Sequence, residues 1–221
     1  METTQEATKR RWRGIDPEQR AATRRRQLLD AGLELLGTVG AVEISMRAVC
    51  REAALTERYF YESFTNLEDL MVAVLEEVVF GARETLLAAL AEAPADRADR
   101  VRRVVRAFGD YLTADPRRGR VIFVESLATP ALAHRGDELI AEFTTPIAAT
   151  LASDGFGAPG ADETDIALNS TAIFGALAFL YRPIFTGVAT LERSRFDEHV
   201  ARIIENISDA RSGSQRLAEP E

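Results

Sequence analysis

The stretch that decides the fold is residues 45–64, which read SMRAVCREAALTERYFYESF. It contains two helical segments, and each follows a residue suited to capping a helix, Ser45 for the first and Thr56 for the second. The first segment is expected to end at about Glu52 and the second near Phe64, so a turn of small residues separates them. Two short helices joined by a turn of three or four residues are typical of a helix-turn-helix.

The second segment has an apolar and a polar face, as a helix that enters the major groove of DNA requires. Leu55, Phe60 and Phe64 are expected to face inward. The groove is about 12 Å wide and admits one α-helix, whose outer side chains then reach the base edges. The outer side chains of this segment are polar: Thr56, Glu57, Arg58, Tyr59, Tyr61 and Glu62.

Positive charge is concentrated before this motif. The chain has 27 Lys and Arg against 35 Asp and Glu, a formal net charge of −8, yet residues 9–26 hold 8 basic and 2 acidic side chains. We expect residues 1–16 to form a flexible basic arm that lies along DNA, and Arg24 on the first helix to contact DNA as well. A solvated tail without a role in binding is the alternative for the arm.

Helical periodicity continues along the rest of the chain, and no segment shows the alternation typical of a strand. We therefore predict an all-α protein of about nine helices, with an N-terminal three-helix domain over residues 17–66, a C-terminal helical domain over 67–211 and a polar tail over 212–221. Asp16 is expected to cap the first helix and Gly40 to end it in a left-handed conformation. The predicted helices lie at about 17–39, 45–52, 56–64, 67–92, 96–114, 117–128, 130–153, 161–187 and 193–211.

The segment from Arg20 to Leu70 resembles the DNA-binding domain of the TetR family. Members of that family have a pattern like A-G-V-S-x-x-x-L-Y-x-Y-F followed by x-N/S-K-E-x-L. Three positions depart from it: Ala54 stands at the usual turn glycine, Ser63 at a usual aromatic residue and Leu67 at a usual lysine. We expect the turn to avoid a left-handed residue at Ala54. The residues that this sequence supplies at the positions of the pattern are Ala53, Ala54, Leu55, Thr56, Phe60, Tyr61, Phe64, Asn66, Glu68 and Leu70.

The resemblance implies roles for individual side chains at a DNA surface. Tyr61 matches a family tyrosine that touches a phosphate, and Asn66 is expected to cap the fourth helix. Most TetR-like proteins repress transcription, and the resemblance implies a homodimer on a pseudo-palindromic operator in double-stranded DNA. The predicted DNA-binding residues are Ser45, Arg47, Thr56, Glu57, Arg58, Tyr59, Tyr61, Asn66 and Arg24.

The C-terminal domain is expected to dimerise and to bind a small apolar effector, as the resemblance implies. Gly175 and Ala176 lie at the middle of the most apolar helix, 161–187, where small residues let a partner helix approach closely. With 193–211 this helix resembles the family's two dimer helices; the core helix of a monomer is the alternative. Plain core packing is the alternative for each aromatic side chain. The predicted ligand-binding residues are Phe108, Tyr111, Phe123, Phe143, Asn169, Phe174 and Tyr181.

Other functional classes have less support in the sequence. The single cysteine, Cys50, excludes a disulfide framework and favours a reducing cytoplasm. The longest apolar run starts at Ala172 and has about ten residues, half of what a bilayer requires, so we expect no membrane partner. His134 and His199 are far apart in sequence and no nucleophile–base pair is visible, so we expect no metal, no cofactor and no enzymatic activity. A helical adaptor that binds only protein is the main alternative, and an all-helical enzyme is a weaker one.

Overall fold

The regular structure of this protein is helical, which confirms the predicted class. The computed structural model describes residues 17–153, 161–189 and 191–210, and in these ranges nine α-helices and one short 3-10 turn follow one another. The basic arm over 1–16, the Asp16 cap and the polar tail over 212–221 lie outside the described residues. The elements are α1 Pro17–Thr38, α2 Met46–Glu52, α3 Glu57–Ser63, α4 Leu67–Ala91, α5 Arg97–Ala114, α6 Pro116–Phe123, the 3-10 turn Glu125–Leu127, α7 Pro130–Ala152, α8 Glu163–Phe185 and α9 Arg193–Ser208.

The clearest departure from the predicted helices concerns residues 117–128. The sequence predicts one helix there, and this is wrong, because α6 ends at Phe123 and a 3-10 turn follows. Val124 breaks the helix with φ −120° and ψ −58°. The carboxylate of Glu125 then turns inward to accept hydrogen bonds from other parts of the chain, which a continuous helix would not provide.

The end of α1 has the conformation that the sequence predicts. Gly40 has φ +92°, a left-handed backbone that glycine adopts without steric cost. A Cβ atom at this position would also lie 3.0 Å from a carboxylate oxygen of Glu125. Gly40 therefore both ends the helix and leaves room for the buried carboxylate.

Two clusters of buried apolar side chains form the core. The first joins α1 to α4 and contains Leu28 and Phe60, both fully buried. It extends across the predicted domain boundary, because Val121 of α6 and Leu132 of α7 belong to it. The second lies among α4, α5, α6, α8 and α9 around residues such as Leu112. Since α4 and α6 contribute to both clusters, the first three helices rest on the elements that build the C-terminal domain.

One side of α8 is uncovered. By length and composition alone this helix could cross a membrane, and 28% of its most apolar 18-residue window is buried. Core helices of soluble proteins meet the same criterion, and α8 packs on α6, α7 and α9. Leu168 and Phe179 remain exposed, and a Cβ atom on Gly175 between them would meet nothing within 4 Å. The described part of the chain thus leaves an apolar stripe of α8 open.

Candidate nucleic-acid interface and ligand cavities

The turn between α2 and α3 closes through a left-handed residue. The N–H of Leu55 donates to the carbonyl of Cys50 at 2.9 Å and the N–H of Ala54 donates to that of Arg51 at 3.2 Å, the two bonds of a Schellman motif. Ala54 has φ 53°. The expectation that an alanine avoids the left-handed region is therefore wrong, because the motif requires this conformation whichever residue stands there. For a non-glycine residue it costs roughly 1–2 kcal/mol.

Side-chain caps define two of the helix starts. The Ser45 hydroxyl accepts the N–H of Ala48 at 3.3 Å, and the Asn66 side chain accepts the N–H of Asp69 at 2.9 Å. The Asp69 carboxylate accepts the N–H of the residue before Asn66, which completes a variant capping box. Thr56 has the extended backbone of an N-cap, but its side chain makes no cap hydrogen bond. The hydroxyl of Thr56, an exposed residue, is thus available to a phosphate.

The inner face of α3 is as apolar as the sequence predicts. Phe60 is fully buried and Phe64 is 6% exposed, with 5.8 Å between their ring centroids. Cys50 of α2 lies in the same cluster, and burial raises the pKa of its thiol. Packing of these side chains holds α3 against α1 and α2 and sets the direction of its outer face.

The outer faces of α2 and α3 present polar side chains to solvent. The side chains of Arg47 and Arg58 are 85% and 83% exposed, and Tyr61 is 59% exposed. Tyr59 is half-buried, because the guanidinium of Arg24 lies 4.4 Å above its ring. The structure thus brings the predicted DNA-binding side chains to one region, with Tyr59 partly covered by another member of the set.

Three arginines of this surface form ion pairs with neighbouring carboxylates. Glu57 pairs with Arg47 at 3.4 Å, and Glu62 pairs with both Arg58 and Arg24 at 3.2 Å. Exposed ion pairs of this kind contribute at most about 1 kcal/mol each. Another anion can therefore replace a carboxylate in these pairs at low cost.

The C-terminal domain contains two apolar cavities, each partly open to solvent. The first has a volume of about 130 Å³ and lies among α4, α5, α7, α8 and α9. The second, of about 200 Å³, lies among α4, α5, α6, the 3-10 turn, α7 and α8. Phe108, Phe143 and Leu177 line both cavities and form the partition between them.

Five of the seven predicted ligand-binding residues line these cavities. Phe108 and Phe143 line both cavities, Phe123 and Phe174 line the second, and Tyr181 lines the first. The other two line neither.

Tyr111 and Asn169 make structural hydrogen bonds instead. The hydroxyl of Tyr111 donates to the carbonyl of Val78 at 2.8 Å, and burial raises the pKa of this hydroxyl. The side-chain amide of Asn169 donates to the carbonyl of Ala210 at 2.9 Å, beyond the end of α9. Each bond joins two segments of the domain, and neither residue lines either of the two cavities.

Sequence reasoning missed the contribution of α4 to the first cavity. Arg83, Leu86, Leu87 and Leu90 all line it. Their spacing of i, i+3, i+4 and i+7 places them on one face of the helix. The signal that could have revealed this face is an arginine in an otherwise apolar stripe.

The helix α6 lies between the second cavity and α1. Ile122 and Phe123 at its end line the cavity. At its start, Arg117 donates hydrogen bonds to Glu34 of α1 and to Asp115, which caps α6. The Arg117 guanidinium holds the pKa of the Asp115 carboxyl below its usual value. One short helix therefore contacts both the cavity and the helix that supports the helix-turn-helix.

A close backbone contact and a buried carboxylate also connect α6 and the 3-10 turn with α1 and the loop that follows it. A Cβ atom on Gly37 would lie 2.9 Å from the Cα of Arg117, so α1 and α6 approach as closely as glycine allows. Glu125, 5% exposed, accepts the N–H of Ala41 at 2.8 Å and a guanidinium N–H of Arg120 at 3.1 Å. The 3-10 turn is thus hydrogen-bonded to the loop between α1 and α2.

Metal-binding geometry is absent from the described ranges. Within residues 17–153, 161–189 and 191–210 no three His, Cys, Asp or Glu side chains are grouped so that they could hold a metal ion. His134 is exposed and lies 3.5 Å from Glu138 on the same helix.

Comparison with known proteins gives the same assignment as the motif. The sequence model of a family described as "Bacterial regulatory proteins, tetR family" matches residues 28–74. No curated protein matches the sequence.

Solved structures with the same fold cover almost the whole chain. FadR from Bacillus halodurans, a fatty acid degradation regulator, is 16% identical with a TM-score of 0.72, over 87% of this chain and 97% of that one. FadR from Bacillus subtilis, solved with stearoyl-CoA, is 16% identical with a TM-score of 0.68, over 84% and 98%. EbrR, described as a multidrug binding protein and solved with imidazole, is 21% identical with a TM-score of 0.62, over 87% and 98%. At these identities the likeness shows the fold.

The family model covers the helix-turn-helix, and the shared fold extends through the C-terminal helices. The chain thus resembles TetR-family regulators over its helix-turn-helix, and its described helices have the fold of these solved structures.

Proposed function

We propose that this chain is a homodimeric repressor that binds a pseudo-palindromic operator in the cytoplasm and is released when a small apolar effector enters its cavities. The observation that carries the proposal is the position of α6 and the 3-10 turn. One side of this segment lines the second cavity, and its other side is bonded to α1 and to the loop after it through Arg117 and Glu125. A ligand that moves this segment moves the helix-turn-helix.

The geometry of DNA recognition supports a dimer. One α3 of seven residues reaches few base pairs, so tight and specific binding requires two copies on half-sites one or more helical turns apart. The open stripe of α8 offers the contact surface. Its exposed Leu168 and Phe179 lie on either side of Gly175, which leaves space for a second copy of the same helix.

Replacement of Leu168 by glutamate tests this interface. We expect Leu168→Glu to convert the dimer to a monomer in light scattering and to weaken operator binding at least tenfold, because a charge would be buried between the two α8 helices. Val42→Glu is the control, since Val42 is also apolar, is more exposed than Leu168 and lies on the α1–α2 loop. A wild-type monomer, or a dimer that survives Leu168→Glu, would contradict the interface.

The effector is expected to be apolar because the cavity walls are. Among the similar structures, FadR from Bacillus subtilis was solved with stearoyl-CoA and EbrR with imidazole, so proteins of this fold hold ligands of very different size. Phe108, Phe143 and Leu177 separate the two cavities here, and a rotation of these side chains would join them. We therefore propose a ligand with an extended apolar part.

The experiment measures operator affinity with and without ligand. An operator fragment is selected from genomic DNA by the protein itself, and its affinity is followed by fluorescence anisotropy with dodecanol, dodecanoate or dodecanoyl-CoA present. At least one is expected to raise the operator Kd. Leu177→Trp, which fills the partition, should bind the operator normally and lose this response. An operator Kd unaffected by all three ligands would contradict an apolar effector of this kind.

Glu125→Ala tests the route between the two sites. The variant loses the acceptor of the Ala41 N–H, and we expect it to bind ligand and operator while the ratio of operator Kd values with and without ligand falls towards one. Glu138→Ala, at an exposed position of α7, is the control and should keep the wild-type ratio. If Glu125→Ala kept the wild-type ratio of operator Kd values with and without ligand, the coupling would have to take another route.

A further inference from the structure

The wall of the first cavity contains one cation. Arg83 is its only basic residue among the described residues, and the other polar side chains there are those of Thr150 and Tyr181. The rest of the wall is apolar, with Leu86, Leu87 and Leu90 next to Arg83 on the same face of α4. A charge at the edge of such a surface is exceptional, because burial of a cation without a counter-ion is unfavourable.

Arg83 has no carboxylate partner among the described residues, whereas several arginines of this domain do have one. Arg103 pairs with Glu92 at 2.5 Å and Arg135 pairs with Glu76 at 2.7 Å. No ion pair joins Arg83 to the described residues; its Nε atom is buried without a hydrogen-bond acceptor, and its guanidinium lies 5.6 Å from the centroid of the Phe80 ring. Although the chain has an excess of acidic residues, no described residue supplies an anion to this half-buried guanidinium.

The hydroxyl of Tyr181 is the other buried polar group of this wall that lacks a hydrogen-bond partner among the described residues. The pKa of Tyr181 is raised by burial and then by the charge of Asp197, whose carboxylate oxygen Oδ1 is also unpartnered. Arg193 of α9 and Asp110 of α5 act on it as well. The ring of Tyr181 packs against those of Phe108, Phe123 and Phe196, and Arg83 is the charged group of the cavity wall.

We propose that the effector is an amphipathic anion whose acidic head pairs with Arg83 and whose apolar chain lies in the first cavity. This inference rests on the proposed function of the cavities. A carboxylate or phosphate supplies the acceptor that Arg83 Nε lacks, and charge-assisted hydrogen bonds to a guanidinium are the strongest of their kind. A free carboxylic acid and an acyl thioester with a phosphate-bearing head share this chemistry.

Calorimetric titration with three ligands of equal chain length separates the possibilities. The wild-type protein is titrated with dodecanoate, dodecanoyl-CoA and the neutral dodecanol. We expect one anion or both to bind at least tenfold more tightly than the alcohol, and the tighter of the two identifies the head group. Arg83→Gln should remove the preference for the anions and leave dodecanol binding unchanged. Arg83→Lys should retain part of this preference, since Lys keeps the charge and loses the planar guanidinium.

Arg106→Gln is the matched control, because Arg106 is an exposed arginine on α5 that lines neither apolar cavity. It should bind all three ligands like the wild type. Equal binding of dodecanol and the anions, or full anion affinity in Arg83→Gln, would overturn the anionic head and leave the apolar effector in place. Binding of none of the three ligands to the wild type would overturn both.

Discussion

The helix-turn-helix and the C-terminal domain are built from the same kind of helices but are packed for opposite purposes. In the first region the buried rings of Phe60 and Phe64 touch, and neither borders a cavity. In the second, Phe108 and Phe143 border empty space on two sides. A DNA-reading surface needs a rigid support, whereas a ligand-binding domain needs volume and walls that can move. The difference in packing fits the functions that we propose for the two regions.

The largest expected effect comes from removal of one aromatic ring in each region. Phe60→Ala should lower the free energy of unfolding by about 3–5 kcal/mol, because it opens a cavity in a filled core. Phe174→Ala enlarges an existing cavity beside a half-buried ring and should cost less than half of this. Urea denaturation measures both. Equal losses would contradict the contrast between the two regions.

A second test concerns the surface that the rigid region supports. Arg58→Ala should lose about 1–3 kcal/mol of operator binding and relax the preference at one base pair if this arginine reads a base. Tyr61→Phe should weaken binding on all sequences alike if its hydroxyl serves a phosphate. Competition binding with single-base operator variants distinguishes these results. Wild-type affinity in both variants would remove α3 from the DNA interface.

The turn between α2 and α3 allows a smaller test of rigidity. Ala54→Gly should raise the free energy of unfolding by up to about 1 kcal/mol, because glycine relieves the left-handed strain. The greater conformational entropy of glycine in the unfolded chain offsets the rest of this gain. Ala53→Gly is the control: Ala53 has φ −72°, and the same change there should destabilise the protein. The melting temperatures of the two variants should therefore shift in opposite directions from that of the wild type. Two shifts in the same direction would show that strain at Ala54 is not significant.

The smallest expected effect comes from the carboxylate that joins two arginines. Glu62→Gln frees Arg24 and Arg58 and should raise affinity for unrelated DNA a few-fold. The slope of log K against log salt should steepen by about 0.9 for each added phosphate contact. Glu68→Gln, at an exposed position on α4, controls for the general loss of negative charge. Identical salt slopes in the two variants would show that Glu62 does not restrain the arginines.

The two regions also differ in how far the sequence reveals them. Helix starts at Ser45 and Asn66 follow from caps, which act within three residues, and the burial of Phe60 follows from helical periodicity. The same local reasoning fails at Ala54, where the closure of the turn outweighs the preference of the residue. It also fails at Glu125, because the groups that stabilise its side chain include an N–H 84 positions away in the sequence.

The cavities were harder to predict because an aromatic residue in a core and one in a cavity wall have the same sequence signature. Phe108 and Tyr111 are both aromatic residues of α5, yet one lines two cavities and the other donates a hydrogen bond to α4. Only the positions of neighbouring helices distinguish them. Arg83 is the exception, since a charge within an apolar stripe is visible in the sequence and marks a position that packing alone does not explain.

Selection of genomic DNA fragments by the purified protein, followed by sequencing, tests the central claim most directly. The same selection is made with a variant in which Arg47 and Arg58 are both alanine. The wild type should enrich fragments that share two inverted half-sites one or more helical turns apart, and the variant should lose this shared pattern while it keeps the wild-type fold in circular dichroism. Fragments without a common pattern, or the same pattern from both proteins, would contradict sequence recognition by this helix-turn-helix.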